Sequence, residues 1–181
     1  VIDLLVAGGG PAGLATAIHG ALAGMEVVVL EPRPTPIDKA CGEGLMPGAV
    51  RRLRELGVCV PGSPFRGIRY LDGVSGLHAE GLFRTGPGLG TRRTVLQAAL
   101  AERADRLGVR VLARRVGEVR QDEDRVGAAG LTARHLVAAD GLHSPVRRGL
   151  GRPATGCAAT TPWSPGATWS RSTGRRTARR T

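Results

Sequence analysis

Close to the start of the chain a glycine-rich turn, Gly8-Gly9-Gly10-Pro11-Ala12-Gly13, stands directly between an apolar run and a helical pattern. The run Val1–Ala7 reads Val-Ile-Asp-Leu-Leu-Val-Ala, the composition of a strand buried on both faces. From Leu14 to Gly24 small and apolar residues recur at helical spacing, and Glu26–Leu30 is a second short apolar run. The order is β–α–β within about thirty residues, a unit whose crossover is right-handed. Each glycine of this Gly-x-Gly-x-x-Gly pattern has a physical task. Gly8 allows a tight turn, Gly10 lets backbone approach a pyrophosphate with no Cβ in the way, and Gly13 lets helix and strand pack closely. The helix N-terminus then offers free N–H groups and the positive end of its dipole to phosphate. Glu31, 18 residues past Gly13 at the end of the second strand, is placed to accept from ribose hydroxyls. Its negative charge disfavours a 2′-phosphate, so NADP is not expected in this pocket. The expected fold class is α/β, a Rossmann-like dinucleotide-binding domain with a parallel central sheet.

Beyond this unit the pattern is coarser. Residues 31–47 hold four prolines (Pro32, Pro34, Pro36 and Pro47) and read as an extended excursion. Gly48–Leu56 reads as a helix, and residues 65–85 as short strands broken at Gly73 and Gly76. Thr91–Leu107 is the clearest amphipathic helix, with Val95, Leu96, Ala99, Leu100 and Leu107 on one face. Val109–Leu112 is a strand, two or three short ones follow to Gly130, and His135–Ala139 is the last buried strand, ending in Asp140-Gly141. Cys41, Cys59 and Cys157 have no metal-ligand spacing, so neither a metal site nor a disulfide framework is expected. His78, His135 and His143 are assigned no chemistry. There is no run of 18 apolar residues and no basic leader, so no membrane span is expected and cytoplasmic localisation is the default.

Three further segments sharpen the choice of cofactor. The Gly-Gly-Gly-Pro-Ala-Gly form of the turn, with Glu31-Pro32-Arg33 after the second strand, resembles FAD-binding enzymes of the para-hydroxybenzoate hydroxylase type. Lys39-Ala-Cys-Gly-Glu-Gly-Leu45 is similar to the loop that passes near the flavin ring in geranylgeranyl reductases. Ala138-Ala-Asp140-Gly141-Leu-His143-Ser144-Pro-Val-Arg147 is similar to that family's Asp-Gly fingerprint, which lies near the FAD pyrophosphate and has been linked to pyridine-nucleotide binding. Arg93, heading Arg-x-x-Leu-x-x-x-Leu with Leu96 and Leu100, matches the family arginine at the start of a helix near the cofactor. The resemblance covers residues 2–150. It implies a flavoprotein oxidoreductase with FAD as cofactor, NAD(P)H as reductant and a small apolar or aromatic molecule as substrate. The cofactor-binding set it implies is Gly8, Gly10, Pro11, Ala12, Gly13, Glu31, Pro32, Arg33, Cys41, Gly42, Arg93, Asp140 and Gly141. No catalytic acid, base or nucleophile follows from it, and monooxygenase and reductase both stay open.

Residues 1–150 are read as an FAD-binding domain, with 65–85 as part of a mixed substrate-side sheet. The domain is expected to be truncated, because the family's second Gly-Asp motif and most of its substrate sheet have no counterpart. Residues 151–181 differ in kind. They have no Leu, Ile, Val or acidic residue, but seven Thr, six Arg and both Trp (Trp163 and Trp169). They carry six of the eleven net positive charges and are expected to be a disordered basic tail. One permissible coding of Thr168–Thr181, read in the neighbouring frame, spells an alternating strand, so a shifted frame and a natural tail are the two accounts of the segment. Two other function classes are weighed, a non-catalytic fragment of such an enzyme and a basic-tail protein binding nucleic acid or anionic lipid. No nucleic-acid-binding fold signature precedes the tail, and the use of 25 Arg against one Lys fits a GC-rich gene. A nucleic-acid partner is therefore not expected, and oligomeric state is left open.

Overall fold

An apolar strand with both faces buried can serve two cores at once, and the first strand of this chain does so. The computed structural model describes residues 1–151. They run β1 (Ile2–Ala7), α1 (Pro11–Leu22), β2 (Val27–Leu30), β3 (Gly44–Leu45), α2 (Pro47–Glu55), β4 (Ser63–Phe65), β5 (Gly67–Leu71), β6 (His78–Leu82), β7 (Gly88–Gly90), α3 (Arg93–Arg106), β8 (Arg110–Leu112), β9 (Val119–Gln121), β10 (Val126–Ala128), β11 (Leu131–Ala138) and α4 (Pro145–Gly149). Leu4 and Val6 of β1 join Val27 and Val29 of β2 in one core, completed by Leu14, Ala17 and Ile18 of α1 and Leu96, Leu100 and Ala104 of α3. Leu5 and Ala7 join Val28 and Leu30 in a second core with Val116, Val126, Ala128 and Val146. Leu5, Leu14, Ile18 and Leu100 are fully buried, and each such side chain stabilises the fold by about 1.5–3 kcal/mol.

The central sheet has the order β8-β2-β1-β11-β10-β9. Its first four strands are parallel, and β10 and β9 run antiparallel to their neighbours. This sheet is therefore itself mixed, because β9, β10 and β11 follow one another through short loops that allow only antiparallel pairing. The strands expected within 65–85 are the antiparallel hairpin β5-β6, and β3-β7-β4 form a further small antiparallel sheet. The expected buried strand at 135–139 is β11, which is central by hydrogen bonding and not by burial. Only Ala133 of it is buried, while Arg134 and His135 are exposed. Leu136 and Val137 border the two cores, so the strand lies at the rim of both. The expected basic tail, with Cys157, Trp163 and Trp169, lies outside the described residues.

The spacing between α1 and β1 depends on one glycine. A Cβ on Gly13 would lie 1.8 Å from the Gly8 carbonyl oxygen and 3.3 Å from Val6 Cγ1. Gly13→Ala must push the helix off the strand and is expected to cost about 1–3 kcal/mol or more. Thermal unfolding followed by circular dichroism measures this, and an unchanged Tm would refute the close packing.

Candidate cofactor site

The glycine turn is shaped by what each glycine touches. Gly8 has a φ of +106°, and a Cβ there would meet the Ala139 carbonyl oxygen at 2.4 Å and Asp140 Cα at 3.0 Å. The turn thus packs directly on the Asp140 backbone at the end of β11. Gly10 is different. Its backbone is extended (φ −72°, ψ 176°), and a Cβ there would meet only an Arg93 guanidinium nitrogen, at 3.8 Å. The fold does not require glycine at this position, which fits a place kept open for a ligand.

Helix α1 starts at Pro11 with Gly10 as its N-cap, no capping side chain and no acidic residue in its first turn. Its first N–H groups, those of Ala12 and Gly13, are left to an external acceptor at the positive end of the helix dipole. Arg93 opens α3, and its backbone N–H donates to Glu43 Oε1 at 3.1 Å. The Thr91 N–H donates to the Glu43 carbonyl at 2.9 Å, so Glu43, at φ +53°, fastens the loop after β2 to the start of α3. The Arg93 Nε is buried with no protein partner. Its guanidinium stands beside Gly10, so one anion would satisfy both it and the helix N-terminus.

Glu31 is 4% exposed. The Gly9 N–H donates to Oε2 at 2.9 Å, the Arg33 N–H and Nε–H donate to Oε1 at 3.0 and 2.8 Å, and Arg33 Nη2 donates to Oε2 at 3.0 Å. Burial pushes the Glu31 carboxyl up, but the hydrogen bonds from the Arg33 side chain and from the Gly9 and Arg33 backbone outweigh it, and its pKa is held below the ordinary value. Four donors fill the acceptor positions of the carboxylate. The Arg33 side chain is half exposed, so another donor could reach Glu31 only by replacing it. Arg33, assigned to the cofactor-binding set by resemblance, is paired with Glu31 in this structure.

At the other rim, a Cβ on Gly141 (φ +94°) would lie 3.2 Å from Lys39 Nζ. The Asp140 carboxylate accepts from the Val146 N–H at 3.1 Å and Ser144 Oγ from the Arg147 N–H at 3.0 Å, which makes the Asp-Gly segment the entry to α4. Glu31, Arg93 and Asp140 therefore meet the turn that holds Gly8, Gly10 and Gly13, with Pro11 and Ala12 at the helix start, while Arg33 is tied to it through Glu31 and Gly141 follows Asp140. Pro32, Cys41 and Gly42 are exposed, and a Cβ on Gly42 would meet nothing within 4 Å. The spacing argument missed Gly9, Glu43 and Gln97. A Cβ on Gly9 would lie 2.9 Å from Glu31 Cβ and Cγ, a constraint hidden at an "x" of the pattern. Gln97 shares the buried face of α3 with Leu100 and Ala104, and a polar residue at that register was the signal available. A surface hollow of about 530 Å³ between residues 119–126 and 134–136 shares no residue with the turn. Among the described residues no cluster of His, Cys, Asp or Glu suits a metal ion, and no helix is long and apolar enough to cross a membrane.

This arrangement fits an adenine dinucleotide with its pyrophosphate on α1. Residues 1–61 match the family described as "FAD binding domain". Beyond those residues the chain is similar to part of several monooxygenases and reductases. It is 34% identical over 164 residues to menaquinone reductase of Mycobacterium tuberculosis, covering 83% of this chain and 40% of that protein. It is 31% identical over 166 residues to rifampicin monooxygenase of Streptomyces venezuelae, covering 83% of this chain and 34% of that one. The fold is similar to p-nitrophenol 4-monooxygenase from Pseudomonas putida, with a TM-score of 0.73 and 26% identity over 83% of this chain and 44% of the other. A geranylgeranyl bacteriochlorophyll reductase-like protein from Thermoplasma acidophilum gives a TM-score of 0.67 at 26% identity, over 83% and 42% of the two chains. The chain thus spans about two fifths of the length of the curated menaquinone reductase it matches.

Two outcomes are expected. Gly10→Val keeps an allowed backbone and has room for its Cβ, so its Tm stays near that of the unaltered chain while FAD affinity falls at least about tenfold. Fluorescence titration reads the affinity, and undiminished binding would remove the pyrophosphate from this turn. Because the folded pKa of Glu31 is depressed, its carboxylate contributes stability that is present above the unfolded value and lost as pH falls through the folded one. Melting curves from about pH 7 to pH 3 should therefore fall more steeply for the unaltered chain than for Glu31→Gln. Parallel profiles would show that the carboxylate is not held as described.

Proposed function

We propose that this chain is the cofactor-binding part of an FAD-dependent oxidoreductase acting on a small apolar or aromatic molecule, as a monooxygenase or a reductase. One observation carries the reading: the N-terminus of α1 has no capping side chain, and Nη2 of Arg93, whose Nε has no protein partner, stands 3.8 Å from where a Cβ on Gly10 would lie. Ala12 and Gly13 would donate to the pyrophosphate, Arg93 would neutralise it, and Glu31 would accept from the adenosine ribose once Arg33 gives way. Lys39, Cys41 and Gly42 on the loop after β2, with Asp140-Gly141, would flank the remainder of the cofactor. Bound flavin supplies electron transfer to or from the substrate, while the chain supplies orientation and charge. NAD(P)H is the proposed reductant, docking outside the Glu31 pocket because that carboxylate repels a 2′-phosphate. Of the relatives named above, one is a reductase and one a monooxygenase, so they fall on both sides of the remaining choice. Residues 1–150 are the proposed domain, with 65–85 on the substrate side, and a cytoplasmic setting completes the reading.

Equilibrium dialysis of the purified full chain against FAD and against NAD tests this. FAD retained in preference to NAD is the expected result. Binding of NAD with no binding of FAD would replace the flavin reading by a dehydrogenase one.

A further inference from the structure

Gln97 lies on the buried face of α3 beside Leu96, Leu100 and Ala104, and is 1% exposed. Its carboxamide joins two segments far from it in sequence. Nε2 donates to the Gly9 carbonyl at 3.2 Å, and Oε1 accepts from the Ile37 N–H at 3.1 Å. The chemistry fixes the orientation of the amide, since the reverse would set its oxygen against the Gly9 carbonyl. Gly9 is thereby held at both polar groups, its N–H on Glu31 and its carbonyl on Gln97.

This has a consequence for the next residue. In a trans peptide the N–H of residue i+1 points opposite to the carbonyl of residue i. Drawing the Gly9 carbonyl inward onto Gln97 turns the Gly10 N–H outward, to the side that carries the α1 N-terminus. Arg93 stands one helical turn before Gln97 and brings its guanidinium to the same place. Ile37, held by the other end of the carboxamide, is 3% exposed and belongs to the loop that continues into Lys39 and Cys41. One buried side chain thus connects the turn, the loop after β2 and the helix that carries Arg93.

We propose that Gln97 is a positioning residue for the dinucleotide, holding the Gly9–Gly10 peptide so that the Gly10 N–H is aimed at the pyrophosphate. This rests on the reading of the turn as a dinucleotide site. A glutamine that merely satisfies core polar groups would affect every ligand of the domain alike, whereas a positioning residue affects the phosphates selectively.

The test uses the full chain and two probes, ADP and adenosine, with affinities from calorimetry or ligand-observed NMR. Gln97→Met keeps the length and removes both hydrogen bonds. Gln97→Glu keeps an acceptor for the Ile37 N–H and sets an oxygen against the Gly9 carbonyl. Both variants should lose ADP affinity by roughly three- to tenfold, with adenosine affinity changed by less than about twofold. Equal losses for the two probes, or unchanged ADP affinity, would overturn the proposal. If the unaltered chain bound no ADP, the dinucleotide reading itself would fall, and this inference with it. The unaltered chain gives a second measurement that does not depend on the variants folding. In ¹⁵N spectra, saturating ADP should shift the Gln97 side-chain amide and the Gly10 amide, and saturating adenosine should not. Signals that stay put with ADP, or move equally with both probes, overturn the assignment.

Discussion

The approach of α1 to the end of β1 is the constraint on which the rest of the site depends. With no side chain on Gly13, the helix starts close enough to β1 for the Gly8 carbonyl to occupy the place of a Cβ. That proximity sets the first turn of α1 over the carboxyl ends of β1 and β2, where an open parallel sheet binds ligands. The other contacts follow from it. Gly8 must take a positive φ to lead from strand to helix, and its Cα then packs on the Ala139–Asp140 backbone. A β-carbon at either position would separate elements that depend on each other for burial and would move the N-terminus of α1 away from the strand ends.

Charge is distributed along this frame in a consistent order. The helix N-terminus, Arg93 and Lys39 make one region positive, and in it no acidic residue occupies the first turn of α1. Glu31, the one buried carboxylate among the described residues, stands just after β2, with its charge taken up by Arg33 and the Gly9 N–H. The Arg93 Nε has no protein partner, so water or a ligand must satisfy it. Glu43 serves a different purpose. By accepting from the Arg93 N–H it keeps the start of α3 in place, so the position of the guanidinium is set by the backbone and not by the side chain alone.

Much of this was legible in the sequence, for reasons that particular residues make clear. The β1-α1-β2 unit follows from two runs apolar on both faces around a fixed glycine spacing, and Glu31 falls at the strand end because the spacing leaves it nowhere else. Other features depend on tertiary distance and leave little trace in a linear pattern. Gly9 reads as a variable position, yet its N–H and its missing Cβ are both needed against Glu31. Gln97 reads as a polar interruption of an apolar face until Gly9 and Ile37 are brought to it from 88 and 60 residues away. The apolar content of β11 suggested full burial, but hydrogen bonding to β1 and β10 fixes only its edges and says nothing of what covers its faces. Arg33 and Glu31, two residues apart, were both assigned to the ligand. Spacing gives no means of seeing that they bind each other first.

That pair changes how Glu31 should act on affinity and on selectivity. Arg33 keeps the carboxylate charged, oriented and out of reach of water when no ribose is present. A ribose that binds there exchanges one set of charge-assisted hydrogen bonds for another, so its net gain is less than the roughly 1.5–3 kcal/mol of a bond made to a free charged group. Selectivity follows a different sum. A 2′-phosphate would bring negative charge against a buried carboxylate whose pKa is already held down, and Arg33 cannot cancel both charges while it remains paired with one. Displacing the Arg33 side chain towards the phosphate would leave Glu31 buried with only the Gly9 and Arg33 backbone N–H groups, a cost that a ribose hydroxyl would avoid by donating in place of the guanidinium. At a ribose site the ion pair would therefore weaken what Glu31 adds to binding strength and sharpen what it adds to discrimination.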